Sequence, residues 1–529
     1  MIKIAVIADP HVHDCSWRPE NSGLTGAIRS YSETAASTRV FNESIPAFRA
    51  ALDRAVAEGA KLALLVGDLT DDGQEPNIRA ALAILAEYRQ RHGLRVLATP
   101  GNHDFYALAG RPQVKTFLGA DGAPVVVDSA TSPDAATLGT ETALRLMAHL
   151  GYRPEPTDLH WETPFGTDPD FAARHYEVVS PDGQSRQQMI DSSYLVEPAP
   201  GIWILALDAN VCAPRNGQTD ASDPTAYHDP TDGGWAAVIA HRAHLLDWMA
   251  DVAARAKAQG KQLIAFSHYP VLDPLGGAST QEVAIFGATG LARRAPPATV
   301  AEAFAATGVP LHFSGHLHVN DCSRHDGPRP FLNLATPSPV GFPPAMKLIE
   351  SDGPRLALRT LDLAEVPGHD LAYAAYQAEA ALAGRTPPVA SRADNHGAFM
   401  DHHLSAVVQD RYIPREWPPE MAALFATGDL RDLGALFGLT EALPDLPLTH
   451  LAEDWYRLRK GADLAARYIP AERLALYDRL TRDLPEAGGA AEGLAGQVTS
   501  FLRIMRAYLD RLPNRDIAID LREMTVTRL

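Results

Sequence analysis

Along the first hundred residues, short apolar runs alternate with amphipathic stretches. Ile2–Ala8, Lys61–Val66 and Leu94–Ala98 read as buried strands, each closed by polar residues. Between them, apolar residues recur at helical spacing from Ser44 to Glu58 (Ile45, Phe48, Ala51, Leu52, Ala55 and Val56), and Gly59 stops that helix. A second helix is expected from about Pro76 to Arg91, stopped by Gly93. Strand, helix, strand, helix, strand is the order of an α/β sheet with parallel neighbours.

Residues 14–40 are rich in Ser, Thr, Asn and Gly and read as a long surface loop. Residues 105–192 carry several Pro and Gly, with one helix near 138–150, and read as an insertion over the site. Tyr194–Val196 and Ile202–Leu207 look like a strand pair, and Trp235–Ala258 like one amphipathic helix. Gln262–Phe266 and Pro310–Phe313 are further apolar strands, with a helix near 298–307 between them. Phe331–Leu334, Ala345–Ile349 and Arg355–Leu361 read as short antiparallel strands. From about 366 the pattern turns to Ala, Leu and Arg at helical spacing, with no good strand before 516–528. The expected organisation is a domain over 1–365, with its insertion at about 105–192, and a mainly helical domain over 366–529. In the latter, Met421, Leu424 and Phe425 share one helix face, and Leu430, Leu433, Leu436 and Phe437 another. A packing domain, a lid and a homo-oligomer surface all fit those faces.

Composition narrows the classes. The formal net charge of −18 argues against a non-specific nucleic-acid or anionic-membrane binder, and makes a local positive centre necessary for an anionic substrate. Cys15, Cys212 and Cys322 are odd in number and far apart, so a reducing compartment is expected. No run approaches the ~18 apolar residues of a membrane span, and Ile2–Ala8 is too short for a signal-peptide core. A cytoplasmic protein is the expectation.

Five apolar strands end in polar sets of one chemical kind: Asp9 and His11, Asp68, Asn102 and His103, His268, and His316 with His318. In open α/β sheets, sites form outside the carboxyl ends of the strands, so one fold can gather all five. Alternation along extended backbone would aim Asp9 with His11, and His316 with His318, to the same side. Carboxylate, imidazole and an amide oxygen together suit Mn, Fe, Zn, Co or Ni, and are too rich in His for calcium or magnesium. Any one of these sets alone is an ordinary strand end or turn; the ordered series is what points to a metal site.

The series Asp9-x-His11, Gly67-Asp68, Gly101-Asn102-His103-Asp104, His268 and Gly315-His316-x-His318 resembles the calcineurin-like metallophosphoesterase superfamily, over roughly residues 1–362. The resemblance implies an α/β fold, a four-layer α/β/β/α sandwich of two mixed sheets, here with an additional mainly helical C-terminal region. It also implies two divalent or trivalent transition-metal ions. Asp9, His11, Asp68 and His318 would hold the first metal, and Asp68 would bridge to a second held by Asn102, His268 and His316. His103 would face the phosphate as a catalytic residue, with Asp104 orienting it. Two cations ~3.5–4 Å apart can clamp a phosphoryl oxygen and hold a hydroxide for in-line attack. Asp71 stands where purple acid phosphatases carry a tyrosine, and the closing Gly-His-x-His is missing from protein Ser/Thr phosphatases. The chain is more similar to the bacterial cyclic-nucleotide phosphodiesterase-like branch, whose members are typically much shorter.

The expected function is therefore hydrolysis of a small phosphodiester. A phosphomonoesterase, a nuclease and a metal-binding scaffold with vestigial hydrolysis are the alternatives. His13, two residues after His11, and Tyr269 and Asn320, beside ligands, are candidate substrate contacts. Arg39 and Asn42 could reach a phosphate, although Arg39 reads more simply as a solvated residue near a helix start. His402 and His403, adjacent on a helix, point ~100° apart and read as solvated surface.

Overall fold

The computed structural model describes residues 2–439, 443–488 and 493–529. Its strands build two large sheets. In the first, Ile2–Ile7, Leu62–Val66 and Arg95–Thr99 lie side by side in parallel, with Val6 opposite Leu64 and Leu64 opposite Leu97. Ala345–Asp352 pairs antiparallel with Ile2–Ile7, and Arg355–Asp362 antiparallel with Ala345–Asp352. Asp516–Asp520 and Thr525–Arg528 continue this sheet beyond Arg355–Asp362. The helical segment thus leaves one sheet and returns to it.

In the second sheet Ile202–Leu207, Gln262–Ser267, Leu311–Ser314 and Phe331–Ala335 run parallel in that spatial order. Tyr194–Ala199 and His160–Glu162 add antiparallel strands at one edge. Phe331–Ala335 is antiparallel only to Asp321–His325, a strand whose polar sequence gave no apolar signal. Period-two alternation separates the faces: Ile204, Ala206, Ile264 and Phe266 join the core of the first sheet, while Trp203, Leu205, Leu207 and Leu263 pack with the helices Ala243–Ala258 and Ala298–Thr307. Ser44–Ala57 and Glu75–His92 pack their apolar stripes into the first sheet's core. The fold is a four-layer α/β/β/α sandwich of two mixed sheets, with a helical C-terminal region.

One expected helix is two. The stretch Trp235–Ala258 divides into Gly234–His241 and Ala243–Ala258 at Arg242, whose backbone (φ −127°, ψ 51°) is non-helical. The Arg242 side chain is buried and bonds the Asp208 carbonyl, with the Asp208 carboxylate 3.4 Å away. A buried guanidinium with these partners outweighs the continuation of a helix ladder.

The 105–192 stretch forms two hairpins, Val114–Leu118 with Pro124–Asp128 and His175–Val179 with Arg186–Ile190, and the helix Thr140–Leu146. Among the described residues no helix is long and apolar enough to cross a membrane.

The C-terminal helices have their own core around Trp455, and Val40, Leu275, Val340 and Phe342 of the two-sheet body belong to it. Trp455 sits on the helix Leu448–Gly461, 1% exposed, with its ring 5.2 Å from Phe501 and 5.3 Å from Tyr508. Trp455→Ala should cost ~3–5 kcal/mol. A denaturant midpoint lowered by less than about 1 kcal/mol equivalent would show that this helix is held by something else.

Candidate metal centre

The loops after Ile7, Val66, Thr99, Ser267 and Ser314 meet at one end of the two sheets, and their side chains converge there. His11 Nε2 lies 3.2 Å from His318 Nε2, and His318 Nε2 lies 3.5 Å from Asp9 Oδ1. On the other side His268 Nε2 lies 3.2 Å from Asp68 Oδ2, 3.1 Å from Asn102 Oδ1 and 3.1 Å from His316 Nδ1. Asp68 Oδ2 is also 3.7 Å from His11 Nε2, so this one oxygen faces both groups. Asp9, His11 and His318 form one triad that could hold a metal ion, and Asp68, His268 and His316 a second.

The donor chemistry fits two cations. Asp68 Oδ1 is occupied by the His103 backbone N–H (2.8 Å), which leaves Oδ2 to the centre. The Asn102 amide nitrogen donates to Thr231 Oγ1 (3.2 Å), leaving Oδ1 turned to the centre. His268 Nδ1 faces the Val66 carbonyl (3.1 Å), a partner that fixes its tautomer and leaves Nε2 as the ligand atom. Burial, with Arg39 nearby, holds the His11 ring well below its usual range, and burial followed by the charge of His268 does the same to His316. Neutral imidazoles are the form that binds a metal. For His268, burial alone would lower the ring, but the Asp68 carboxylate, with Asp9 behind it, outweighs burial and raises it to about 9. The buried carboxylates demand positive charge, which is what a divalent cation supplies.

Backbone conformation, rather than extended alternation, brings the pairs together. Asp9 (φ 52°), His11 (φ 44°), Asp68 (φ 50°), His316 (φ 69°) and His318 (φ 50°) are all left-handed. Such conformations are uncommon for non-glycine residues and collect at functional sites, where surrounding structure holds them. Asp9 is held by the His316 N–H, which reaches both its oxygens at 3.0 Å, and by Ser338, which donates to its carbonyl at 2.7 Å. Gly101 is needed for close approach: a Cβ there would lie 2.1 Å from Asp68 Oδ1.

His103 lines the cavity in front of these ligands, but its partner is not Asp104. The His103 Nδ1 lies 2.7 Å from Asp72 Oδ1 and 3.3 Å from Arg39, leaving Nε2 available to the cavity. Asp104 instead accepts from the N–H groups of Gly101 (2.8 Å) and Thr70 (3.0 Å), bracing the two loops together. Burial, followed by the neighbouring Asp68 charge, pushes Asp104 up to about 7. Burial would raise Asp72, but the Lys115 ammonium and the hydrogen-bonded His103 together outweigh it and hold that carboxyl below the usual range. Lys115, from the inserted hairpin, reaches both Asp71 (2.7 Å) and Asp72. Sequence could not pair His103 with Asp72, since only the fold sets the distance between those loops.

The other candidates divide. His13 is buried, with its Nε2 on the Ala27 carbonyl (2.6 Å) and its ring stacked on Phe117, and it does not line the cavity. Tyr269 packs its ring 4.6 Å from His316 and 5.0 Å from His268, and donates to the Pro230 carbonyl (2.9 Å). It braces ligands rather than lining the main cavity. Asn320 accepts from Lys347 and donates to Asn514 (2.8 Å), tying the His316–His318 loop to the C-terminal region. Asn42 is likewise buried, bonding the Arg29 carbonyl and Tyr376. Arg39 is not solvated: it pairs with Asp71 (2.9 Å) and lines the cavity. His402 is exposed, whereas His403 is buried against the Thr34 carbonyl (2.9 Å).

The cavity has a volume of about 310 Å³. Its walls include residues that the motif series did not flag: Arg293 and Arg294, and Arg411, Arg459 and Lys460 from the C-terminal helices. Burial, with Arg459 alongside, pulls the Lys460 ammonium down to about 7. No motif marks these positions; only their place in the fold does.

Residues 2–204 match the family model of the calcineurin-like phosphoesterase. Asp9, His11, Asp68, Asn102 and His103 fall inside the match, while His268, His316 and His318 lie outside it and join by geometry. No curated protein matches the chain. Among solved structures, a dimetal phosphatase from Danio rerio is similar at 14% identity, over 68% of this chain and 96% of that one, with a TM-score of 0.38. The sulfate thiohydrolase SoxB from Thermus thermophilus, in complex with glycerol, is similar at 14% identity, over 72% of this chain and 60% of that one, with a TM-score of 0.30.

Gly101→Ala should displace Asp68 and lower bound manganese from two equivalents to one or none, with the circular dichroism spectrum retained. Two equivalents bound at wild-type affinity would sink this account of the glycine.

Proposed function

We propose that this protein is a dinuclear-metal-dependent phosphoesterase that prefers phosphodiesters, related in kind to the bacterial cyclic-nucleotide phosphodiesterase-like branch. The single observation that carries the reading is the convergence of two ligand groups on Asp68 Oδ2, with His103 beside them on the same cavity. In this reading Asp9, His11, Asp68 and His318 hold one cation, and Asp68, Asn102, His268 and His316 the other. The donor set suits Mn, Fe, Zn, Co or Ni. When bound, the two cations supply Lewis-acid stabilisation of the phosphoryl oxygens and activation of water.

The protein's own residues do the rest. His103 donates a proton from Nε2 to the departing oxygen. Asp72, at 2.7 Å from Nδ1, orients the ring and stabilises the positive charge that His103 carries while both nitrogens are protonated. Arg39 is held by Asp71 with its guanidinium at the cavity wall, where it can meet a phosphoryl oxygen. The −18 charge speaks against a nucleic-acid polymer as substrate. A reducing cytoplasm is the setting we propose, in keeping with three unpaired cysteines.

Manganese-loaded protein should hydrolyse bis-p-nitrophenyl phosphate faster than p-nitrophenyl phosphate, and Asp68→Ala or Asn102→Ala should abolish both activities. Faster turnover of the monoester would overturn the diester preference; full activity of either variant would overturn the mechanism. His103 can be tested through the leaving group. His103→Ala should lower kcat ~10²–10⁴-fold on a diester with an alkoxide leaving group, and far less on one releasing p-nitrophenolate, which departs without a proton. Equal losses on the two substrates would rule out proton donation.

A further inference from the structure

The walls of the cavity carry the basic side chains of Arg39, Arg293, Arg294, Arg411, Arg459 and Lys460. Arg39 pairs with Asp71, a carboxylate it shares with Arg29 and Lys115, and Arg459 is matched by Glu282, through its Nε at 2.7 Å and a second contact. The remaining cations are matched only in part. Arg293 and Arg294 share one carboxylate, Asp232, at 3.1 and 2.8 Å, and that carboxylate is half exposed. Lys460 has no carboxylate partner among the described residues: its Nζ donates to the Leu317 carbonyl at 2.9 Å, and two of its three donors are unassigned. It is only 5% exposed, yet it lines the cavity. A lysine buried this deeply keeps its full charge only where an anion meets it.

Its position is fixed from two sides. Lys460 is the penultimate residue of the helix Leu448–Gly461, which ends beside the ligand loop. The Asn320 N–H donates to the Lys460 carbonyl (2.7 Å), and Asn320 Nδ2 to the Gly461 carbonyl (3.2 Å). The following residue, Ala462, is held at φ 47°, ψ −124°, an unusual backbone for a residue with a side chain. The helix end is therefore locked to the loop bearing His316 and His318, and Lys460 is presented at a set place. Arg294, on the segment Ala292–Arg294, borders the same cavity.

We propose that Lys460 and Arg294 form an anion subsite for a second negatively charged group of the substrate. The substrate class is then a small phosphoester that carries a further phosphate or carboxylate away from the scissile phosphorus. This rests on the phosphoesterase reading for the scissile group, and it makes the C-terminal helices part of substrate selection. The cavity of about 310 Å³ sets the scale, that of a small molecule rather than a polymer.

Non-hydrolysable ligands test this apart from turnover. Manganese-loaded full-length protein would be titrated calorimetrically with α,ω-alkane diphosphonates of three to six carbons and with alkylphosphonates of the same lengths. At one length or more the diphosphonate should bind at least tenfold more tightly. ω-Phosphonocarboxylates in a third arm tell whether a phosphate or a carboxylate is preferred. In Lys460→Met and Arg294→Met the affinity ratio should fall below about threefold. A ratio near one at every length in the wild-type protein overturns the subsite, even if both variants fail to fold. A ratio that persists in both variants overturns the assignment to these residues. Absence of turnover on the nitrophenyl esters would instead strike the hydrolase reading, and leaves the ratio readable.

Discussion

The site depends on a buried negative charge held in a strained place. Asp68 sits at the end of a central strand, 2% exposed, with one oxygen fixed by the His103 N–H and the other turned to imidazoles on both sides. Such a carboxylate is costly in the interior unless positive charge meets it. Left-handed backbone at Asp9, His11, Asp68, His316 and His318 adds to that cost, at ~1–3 kcal/mol per residue. The rest of the architecture compensates: two sheets bury a continuous apolar core directly behind the ligands. Metal binding would return part of the cost, coupling the stability of this end of the sandwich to the cation.

Much of this was legible in the chain. Strands and helices of the first sheet follow from apolar periodicity, and the metal-type residues are recognisable because each follows an apolar run. What sequence misplaced are features set by the fold's third dimension. Alternation along a strand suggested how Asp9 and His11 might converge, whereas the real device is left-handed backbone after the strand. Asp104 was the obvious partner for His103 by adjacency, yet Asp72, from a loop thirty-one positions away, takes that place. Arg39 looked solvated only because nothing in its neighbourhood revealed Asp71. A helix read through Arg242 is broken because that side chain finds Asp208.

The C-terminal region shows the same limit in a different form. Its amphipathic faces signalled packing without saying against what. In the structure those faces enclose Trp455 and share a core with Val340 and Phe342, and the helix they stabilise ends at the ligand loop. The inserted hairpin Val114–Leu118 with Pro124–Asp128 adds a second layer of support, since Lys115 fixes Asp71 and Asp72, and through them Arg39 and His103. Segments outside the five strand-end motifs therefore shape the site as much as the motifs do.

The order of the ligands along the chain has a bearing on biosynthesis. Asp9 and Asp68 leave the ribosome early, but the histidines that face them stand at 268, 316 and 318, and the cationic wall at 459 and 460 is later still. Strand pairing echoes this, because Ile2–Ile7 is flanked by Ala345–Asp352. A nascent chain thus exposes these carboxylates long before either candidate metal group can form. The polypeptide must wait for distant segments, and the two-sheet body closes around its centre as a late, long-range event rather than a local one.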